Sequence, residues 1–180
     1  MSSLKQALTE LVISEGAKNA RVAGVQSLEG PPSSDPTYML PNASSVVSYA
    51  VPFGADWIPN YFGKATRSVF TRIMFDPYQK INAIGKRLCE RLKADGFWGV
   101  VPSPNGSYRQ EDIKKGRMVP DFFHRYAALA SGPGCLGWSG NVLIKGFGSA
   151  VFHRASLSGR RMDRKWLSCP KMCVLFLHGN

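Results

Sequence analysis

Apolar side chains near the start of the chain repeat with helical spacing. A first amphipathic helix is predicted because four of them fall at i, i+4, i+7 and i+8: Leu4, Leu8, Leu11 and Val12. Gly16 can end this helix. A short strand is predicted at residues 21–25, and the clearest strand of the chain at residues 45–53, which are rich in β-branched residues. Between the two strands, residues 30–37 hold three prolines and a glycine and predict a turn-rich connection.

The middle of the chain, residues 64–94, has a helical pattern. Pro77 interrupts it, so the pattern predicts either two helices or one kinked helix. Its second half has an apolar core stripe (Tyr78, Ile81, Ile84, Leu88 and Leu92) and an outward basic face: Lys80, Lys86, Arg87, Arg91 and Lys93. That basic face is typical of a solvated helix surface. Asp95 and Gly96 end the helix, and a strand is predicted at residues 97–101.

The last third of the chain alternates short elements. A helix is predicted from about Asp121 to Ser131, broken by the Gly-Pro-Gly at 132–134, and short strands at residues 141–145 and 149–152. After Phe152 the apolar periodicity fades. Helices interleaved with a few strands predict an α/β (α+β) fold, with a central mixed sheet flanked by helices in a single domain.

Composition narrows the class of protein. With 180 residues, 44% of them apolar and 19% charged, the chain can bury a core and wholesale disorder is excluded. The long uncharged run at residues 127–144 carries four glycines and several polar residues, and the N-terminus lacks the pattern of a secretory signal. We therefore expect a soluble, cytoplasmic protein without a membrane span.

Positive charge is concentrated at the C-terminus. The net charge is +11, and residues 151–180 contribute nearly half of it, with six basic side chains against Asp163 alone. A basic tail can bind nucleic acid or a membrane surface. The alternative explanation is an altered C-terminus, whose positive charge would have no binding role.

Two of the four cysteines, Cys169 and Cys173, have three residues between them (C-x3-C). Two thiolates at this spacing could share a metal ion, but zinc and iron–sulfur clusters normally need four ligands. Cys89 falls in the helical pattern and is predicted to be buried.

Two loops are candidates for chemistry. The first covers residues 104–109, directly after a buried strand, and the second covers residues 136–141. Glycine there lets a ligand approach the backbone, Trp138 offers a stacking face and Asn141 an amide. A tight turn around a core tryptophan is the alternative interpretation of the second loop.

The helix that leads into the second loop carries His124, Arg125 and Tyr126. A histidine there can act as an acid, a base or a ligand, although a structural histidine is more common. Arg125 can hold an acidic group. The sequence has no Walker loop, dinucleotide-binding glycine motif or nucleophile elbow, which disfavours kinases, NAD enzymes and hydrolases of standard type.

The segments PDFFHRYAALASG (residues 120–132) and LGWSGNVL (136–143) resemble the cobalamin-binding domain of the epoxyqueuosine reductase-like iron–sulfur proteins, a group that includes the reductive dehalogenases. Residues 30–48 also resemble that family's approach to its first long core strand, and residues 105–109 resemble a loop of ferredoxin-like homologues. The resemblance covers roughly residues 20–151.

The family resemblance implies an α/β domain that binds cobalamin, followed by a module with two [4Fe–4S] clusters that reduces the cobalt. It implies that Arg125 braces the loop, and that the cofactor contacts Asn105, Tyr108, Arg125, Leu136, Gly137, Trp138, Ser139, Gly140, Asn141 and Val142. The chemistry it implies is reductive removal of an oxygen or a halide from a substrate.

The sequence departs from the family at the proton donor. An aspartate is expected seven residues before the motif arginine, where this chain has Met118. Asp121, His124 or Tyr126 are the candidates to replace it. The insertion of residues 133–135 should also bend the loop.

The second departure is at the C-terminus. The family continues into two four-cysteine motifs, whereas this chain has only Cys169 and Cys173 as candidate metal ligands. Residues 1–151 are thus predicted to be the cobalamin-binding domain, and residues 152–180 a truncated or altered tail that binds no complete cluster. Activity would then require an external electron donor, such as a ferredoxin-like protein. Two alternatives stay open: a basic tRNA- or nucleic-acid-binding protein, and an inactive fragment.

Overall fold

The computed structural model describes residues 3–54, 59, 63, 67–103 and 107–161. The first half contains helix α1 (Leu4–Ser14), strand β1 (Asn19–Gly24), three single-turn 3-10 helices (Val25–Ser27, Pro32–Ser34 and Pro36–Tyr38) and strand β2 (Ala43–Pro52). Helix α2 (Arg67–Ala94) and strand β3 (Phe97–Val100) follow. The remaining elements are the short helix α3 (Gln110–Ile113), helix α4 (His124–Ser131), and strands β4 (Gly134–Leu136), β5 (Val142–Ile144) and β6 (Val151–Arg161).

Four of these strands form one sheet in the order β1-β2-β6-β3, and β4 and β5 form a separate hairpin. All pairings within the four-stranded sheet are antiparallel. The predicted α/β (α+β) class and single domain are confirmed. The central sheet is antiparallel, however, and not mixed as predicted, because each neighbouring pair of strands runs in opposite directions.

The sheet separates two layers of helices. Alternate residues of β2 point to opposite faces: Val47, Tyr49 and Val51 pack against α1 and α2, whereas Val46 and Ala50 face α4 and the hairpin. The predicted core stripe of α2 is confirmed at Ile81, Ile84, Leu88 and Leu92, all buried. This three-layer arrangement positions α4 and the β4–β5 hairpin together on one face of the sheet.

Helix α2 is continuous through Pro77, which settles the choice between one helix and two in favour of one. A proline inside a helix lacks the N–H that would bond to the carbonyl of residue i−4. Packing of the downstream stripe against the sheet compensates for that loss.

The C-terminal boundary predicted after Val151 needs correction. Val151 is the first residue of β6, and the strand runs on to Arg161 in the interior of the sheet, paired with β2 and β3. Residues 152–161 therefore belong to the domain rather than to a tail. The sequence did not reveal this because one face of β6 is polar although it is buried: Arg154, Ser156 and Ser158.

Two of the buried polar side chains on that face of β6, Ser156 and Arg154, bond to groups outside the strand. The Tyr49 hydroxyl lies 3.2 Å from the Ser156 hydroxyl, and burial raises the pKa of Tyr49 to about 12. The guanidinium of Arg154, 6% exposed, donates to the Asn82 side chain and to the Pro102 carbonyl at 3.1 Å. Burial also lowers the pKa of Arg154.

Candidate functional site

The β4–β5 hairpin presents the second candidate loop at the protein surface. The loop is closed by a hydrogen bond from the Gly137 N–H to the Asn141 carbonyl (2.8 Å) and by one from the Gly140 N–H to the Gly137 carbonyl (2.9 Å). Gly140 has a φ of +73°, a conformation that side-chain-bearing residues rarely adopt. The loop backbone thus requires a glycine at position 140.

The outer surface of the hairpin is unusually apolar. Trp138 is fully exposed and Leu136 is 54% exposed, whereas Val142 is buried under the hairpin against Ala50 and Ala128. The alternative of a turn around a core tryptophan is therefore wrong. An exposed indole beside a leucine and two glycines offers a flat apolar contact surface of the kind that binding sites use.

Arg125 in the first turn of α4 fastens this loop to the domain. Its Nη1 donates to the Gly140 carbonyl at 2.8 Å, and its guanidinium lies 5.9 Å from the Phe123 ring centroid. The Asn141 amide donates to the Ser139 hydroxyl at 3.3 Å, at the exposed edge of the loop. Arg125 thus braces the loop by hydrogen bonding, which is the contact that the family resemblance implied.

His124, the neighbour of Arg125, points into the protein and has a structural role. Its Nδ1 accepts from the Ala155 N–H at 3.1 Å, so its Nε2, 3.2 Å from the Ser103 carbonyl, is the nitrogen that carries the proton. Burial and the nearby Arg154 charge lower the pKa of His124 to about 4. Both ring nitrogens are bonded to the backbone, so the structure provides no support for the predicted acid–base role.

Tyr126 lies against the segment that precedes the second 3-10 helix. Its ring packs edge-on against Phe123 with centroids 5.3 Å apart, and an added Cβ on Gly30 would come within 2.8 Å of it. The tyrosine therefore fixes the contact between α4 and residues 30–34.

Asp121 and Tyr108 lie together, but they line a different surface from the loop. Both border an open cavity of about 380 Å³ that no residue of the 136–142 loop lines. Asp121 accepts a hydrogen bond from the Ser107 hydroxyl, a residue that the sequence pattern did not single out. Met118, at the place of the family's aspartate, is 69% exposed on the same segment.

The remaining predicted site residues, Asn105, Cys169 and Cys173, lie outside the described residues. Within the described ranges, no group of three or more histidine, cysteine or carboxylate side chains could hold a metal ion. Those ranges also contain no helix that is long and apolar enough to cross a membrane.

Sequence reasoning missed the polar groups beneath the hairpin and inside the sheet. His153 is half-buried on β6, where burial and the charge of Arg125 lower its pKa. Arg154 is buried on the same strand, which lies between β2 and β3 in the sheet. The only signal for either was the His-Arg pair in a stretch assigned to the tail.

No protein-family model matches the chain, and no curated protein matches it in sequence. Among solved structures, an epoxyqueuosine reductase bound to a tRNA-Tyr stem loop with the epoxyqueuosine modification aligns with a TM-score of 0.56 and 13% identity, over 89% of this chain and 46% of that chain. The Bacillus subtilis enzyme, solved with its catalytic loop swung out of the active site, aligns with a TM-score of 0.55 and 15% identity, over 93% and 50%.

The Streptococcus thermophilus enzyme gives a TM-score of 0.51 and 13% identity, over 90% of this chain and 47% of that chain. This chain therefore spans about half the length of the structures that it matches. At these identities the comparison concerns the fold. The resemblance stated from the sequence is confirmed at that level: the chain has the fold of about half of an epoxyqueuosine reductase.

Proposed function

We propose that the chain is the cobalamin-binding domain of a cobalamin-dependent reductase of the epoxyqueuosine reductase or reductive dehalogenase type. The observation that carries the proposal is the hairpin loop at residues 136–142, apolar on its outside and braced by Arg125. The shared fold supports it, since epoxyqueuosine reductases contain this arrangement of strands and helices.

The residues of the loop fit such a cofactor. A corrin ring is broad, mainly apolar and edged with amide groups. The exposed faces of Trp138 and Leu136 match its apolar area, and an added Cβ on Gly140 would meet only the Arg125 guanidinium, at 3.8 Å, so the backbone there is open to a ligand. Ser139 and Asn141 are exposed and can hydrogen-bond to amide groups.

Cobalamin, when bound and reduced, supplies a cobalt centre able to remove an oxygen or a halide from an organic substrate. The chain's own residues would hold and orient the cofactor. Arg125 fixes the loop through the Gly140 carbonyl, and the loop would shield one side of a bound cofactor from water. Among the three predicted proton donors, Asp121 is the candidate that we retain, because it faces an open cavity while His124 is fully bonded to the backbone.

Such a reaction needs an electron donor, and the proposal includes a ferredoxin-like donor for that role. Cys169 and Cys173 supply two thiolates, where a [4Fe–4S] cluster takes four.

A titration of the purified chain with cob(II)alamin, followed by absorbance and electron paramagnetic resonance, tests the cofactor assignment. We expect the spectrum of the base-off form on binding. Gly140→Leu should abolish binding, and Gly116→Leu is its matched control, since Gly116 has a φ of +72° and equally open space around its Cβ. Equal binding by both variants would exclude the loop as the site, and no binding by the wild type would refute the proposal.

RNA binding is the second candidate function, because one structure with this fold holds a tRNA stem loop. In this chain the outward basic face of α2 is exposed at Lys80, Lys86 and Lys93, none of which forms an ion pair among the described residues. Phosphate contacts predict affinity for a stem-loop RNA that falls steeply with salt. Binding insensitive to salt, or unaffected by Lys86→Glu with Lys93→Glu, would exclude this face.

A further inference from the structure

The cavity beside Asp121 is a second concave surface, separate from the hairpin loop. It lies where the 3-10 helix Pro36–Tyr38 meets two paired segments, residues 107–109 and 119–121. The pairing includes bonds from the Arg109 N–H to the Val119 carbonyl (2.9 Å) and from the Asp121 N–H to the Ser107 carbonyl (3.2 Å). These backbone bonds hold the position of the cavity lining.

Aromatic and apolar groups form most of this lining. The rings of Tyr38 and Tyr108 stand with Met39 and Ile113 around a volume of about 380 Å³. Tyr38 is 40% exposed and Ile113 is 42% exposed, so this apolar surface is not used for the core. The volume lies within the range of about 300 to 1,000 Å³ that small-molecule sites occupy.

Among the described residues that line the cavity, Asp121 is the one with a charged side chain. Ser107 donates to Oδ2 of Asp121, which orients the carboxylate and leaves Oδ1 without a partner among the described residues. Burial, followed by the negative charges of Glu111 and Asp121, raises the pKa of Tyr38 above its usual value of 10. The positive charge of Arg109 acts on the pKa of Tyr38 in the opposite sense, so the negative group that the cavity itself offers to a ligand is the Asp121 carboxylate.

The nearest cation does not fill the cavity. The guanidinium of Arg109 stacks on the Tyr38 ring, with Cζ 4.2 Å from the centroid, and its Nη2 donates to the Pro32 carbonyl at 2.6 Å. Arg109 is buried and is not part of the cavity lining. Arg109 thus occupies one face of the Tyr38 ring, which leaves the edge and the opposite face of this ring for a ligand.

We propose that the cavity binds a small organic cation that carries a ring, with its positive group at the Asp121 carboxylate and its ring against Tyr38 and Tyr108. Aromatic faces and a carboxylate are together the groups that recognise such a ligand, since both attract positive charge and the rings add apolar contact. The proposal does not rest on cobalamin binding, because none of the loop residues lines the cavity.

The test uses the full chain and three probes that differ in charge: benzylammonium, benzyl alcohol and benzoate. Binding is followed by two-dimensional amide NMR. We expect benzylammonium to bind about five to ten times more tightly than benzyl alcohol, the gain from one partly exposed ion pair and a cation–π contact. Benzoate should bind more weakly than either, and the shifted amides should lie at residues 38–39 and 107–121.

Asp121→Asn keeps the shape of the side chain and should remove the preference for the cation. Asp95→Asn is the matched control, because Asp95 pairs with Arg91 at the end of α2 and does not line the cavity. Tyr108→Leu should weaken both benzylammonium and benzyl alcohol. Equal binding of the cation and the alcohol by the wild type would overturn the proposal without any variant, and a cation preference that survives in Asp121→Asn would do the same.

Discussion

Acid should destabilise this protein through His124. The folded protein holds the neutral imidazole between the Ala155 N–H and the Ser103 carbonyl, with a pKa of about 4. In the unfolded chain its pKa returns to about 6.5. Between these values the unfolded chain binds more protons than the folded one, so the free energy of unfolding falls as the pH falls.

The size of the effect follows from the two pKa values. Each pKa unit is worth about 1.4 kcal/mol, so the contribution is fully present above pH 6.5 and is lost by about pH 4. Between pH 7 and pH 4.5, we expect the titration of His124 to lower the free energy of unfolding by about 2 to 3 kcal/mol. For a domain of this size, that is a large part of a typical stability of about 5 to 15 kcal/mol.

Urea unfolding at pH 7, 6, 5 and 4.5, on the wild type and on His124→Gln, isolates this contribution. The variant should be less stable at pH 7 by about 1 to 3 kcal/mol, because one amide cannot replace both backbone bonds of the imidazole. Its stability should then fall less steeply, so that the two curves approach each other near pH 4.5. His153→Gln is the control for the second histidine whose pKa burial lowers. Parallel curves for the wild type and His124→Gln would refute the reasoning.

Three further predictions concern other parts of the structure. Leu88→Ala should lower the free energy of unfolding by about 2 to 5 kcal/mol in a urea titration, because Leu88 is fully buried between α2 and the sheet, and an effect below 1 kcal/mol would contradict that packing. Tyr49→Phe should cost about 1 to 2 kcal/mol in the same assay, since it leaves the buried Ser156 hydroxyl without its partner, whereas Tyr126→Phe, with no bonded hydroxyl among the described residues, should cost less. Arg125→Ala should accelerate amide hydrogen exchange at residues 137–141 while leaving exchange in β2 unchanged, and unaltered exchange in the loop would show that Arg125 does not brace it.

The elements that the sequence predicts well are those in which apolar periodicity coincides with burial. The α2 stripe is one such case, since Ile81, Ile84, Leu88 and Leu92 are apolar and face the sheet. Strand β2 is another, predicted at residues 45–53 and found at Ala43–Pro52. In both, local pattern and tertiary packing agree, so the pattern is sufficient.

Strand β6 shows why the rest was missed. A central strand is normally an apolar run in the sequence, but β6 buries the side chains of Arg154, Ser156 and Ser158. Arg154 bonds to Asn82 and to the Pro102 carbonyl, and Ser156 bonds to Tyr49. Those partners are far away in sequence, and no local pattern reveals them. The same reason applies to His124, whose two backbone partners come from segments 21 and 31 residues away.

The candidate site could be predicted only in part. The family resemblance implied that Arg125 braces the loop, and Arg125 donates to the carbonyl of Gly140, which has a positive φ. The cofactor contacts of the loop stay a prediction. The sequence does not predict that the candidate residues lie on two different surfaces, the loop and the cavity. Their places depend on the pairing of residues 107–109 with 119–121. That pairing is non-local, and the pattern of neither segment indicates a strand.

The segment from Asp121 to Arg125 joins the two surfaces, and its length limits their separation. Asp121 lines the cavity and Arg125 holds the loop, and four residues of chain span at most about 14 Å between Cα atoms. A cofactor on the loop and a ligand in the cavity would then be close enough for one to change the surroundings of the other. With cob(II)alamin bound, benzylammonium should therefore alter the electron paramagnetic resonance spectrum of the cobalt, benzyl alcohol should alter it less, and Asp121→Asn should remove the difference. An unchanged spectrum at saturating benzylammonium would show that the two surfaces act independently, and Asp121 would then lose its place as the candidate proton donor.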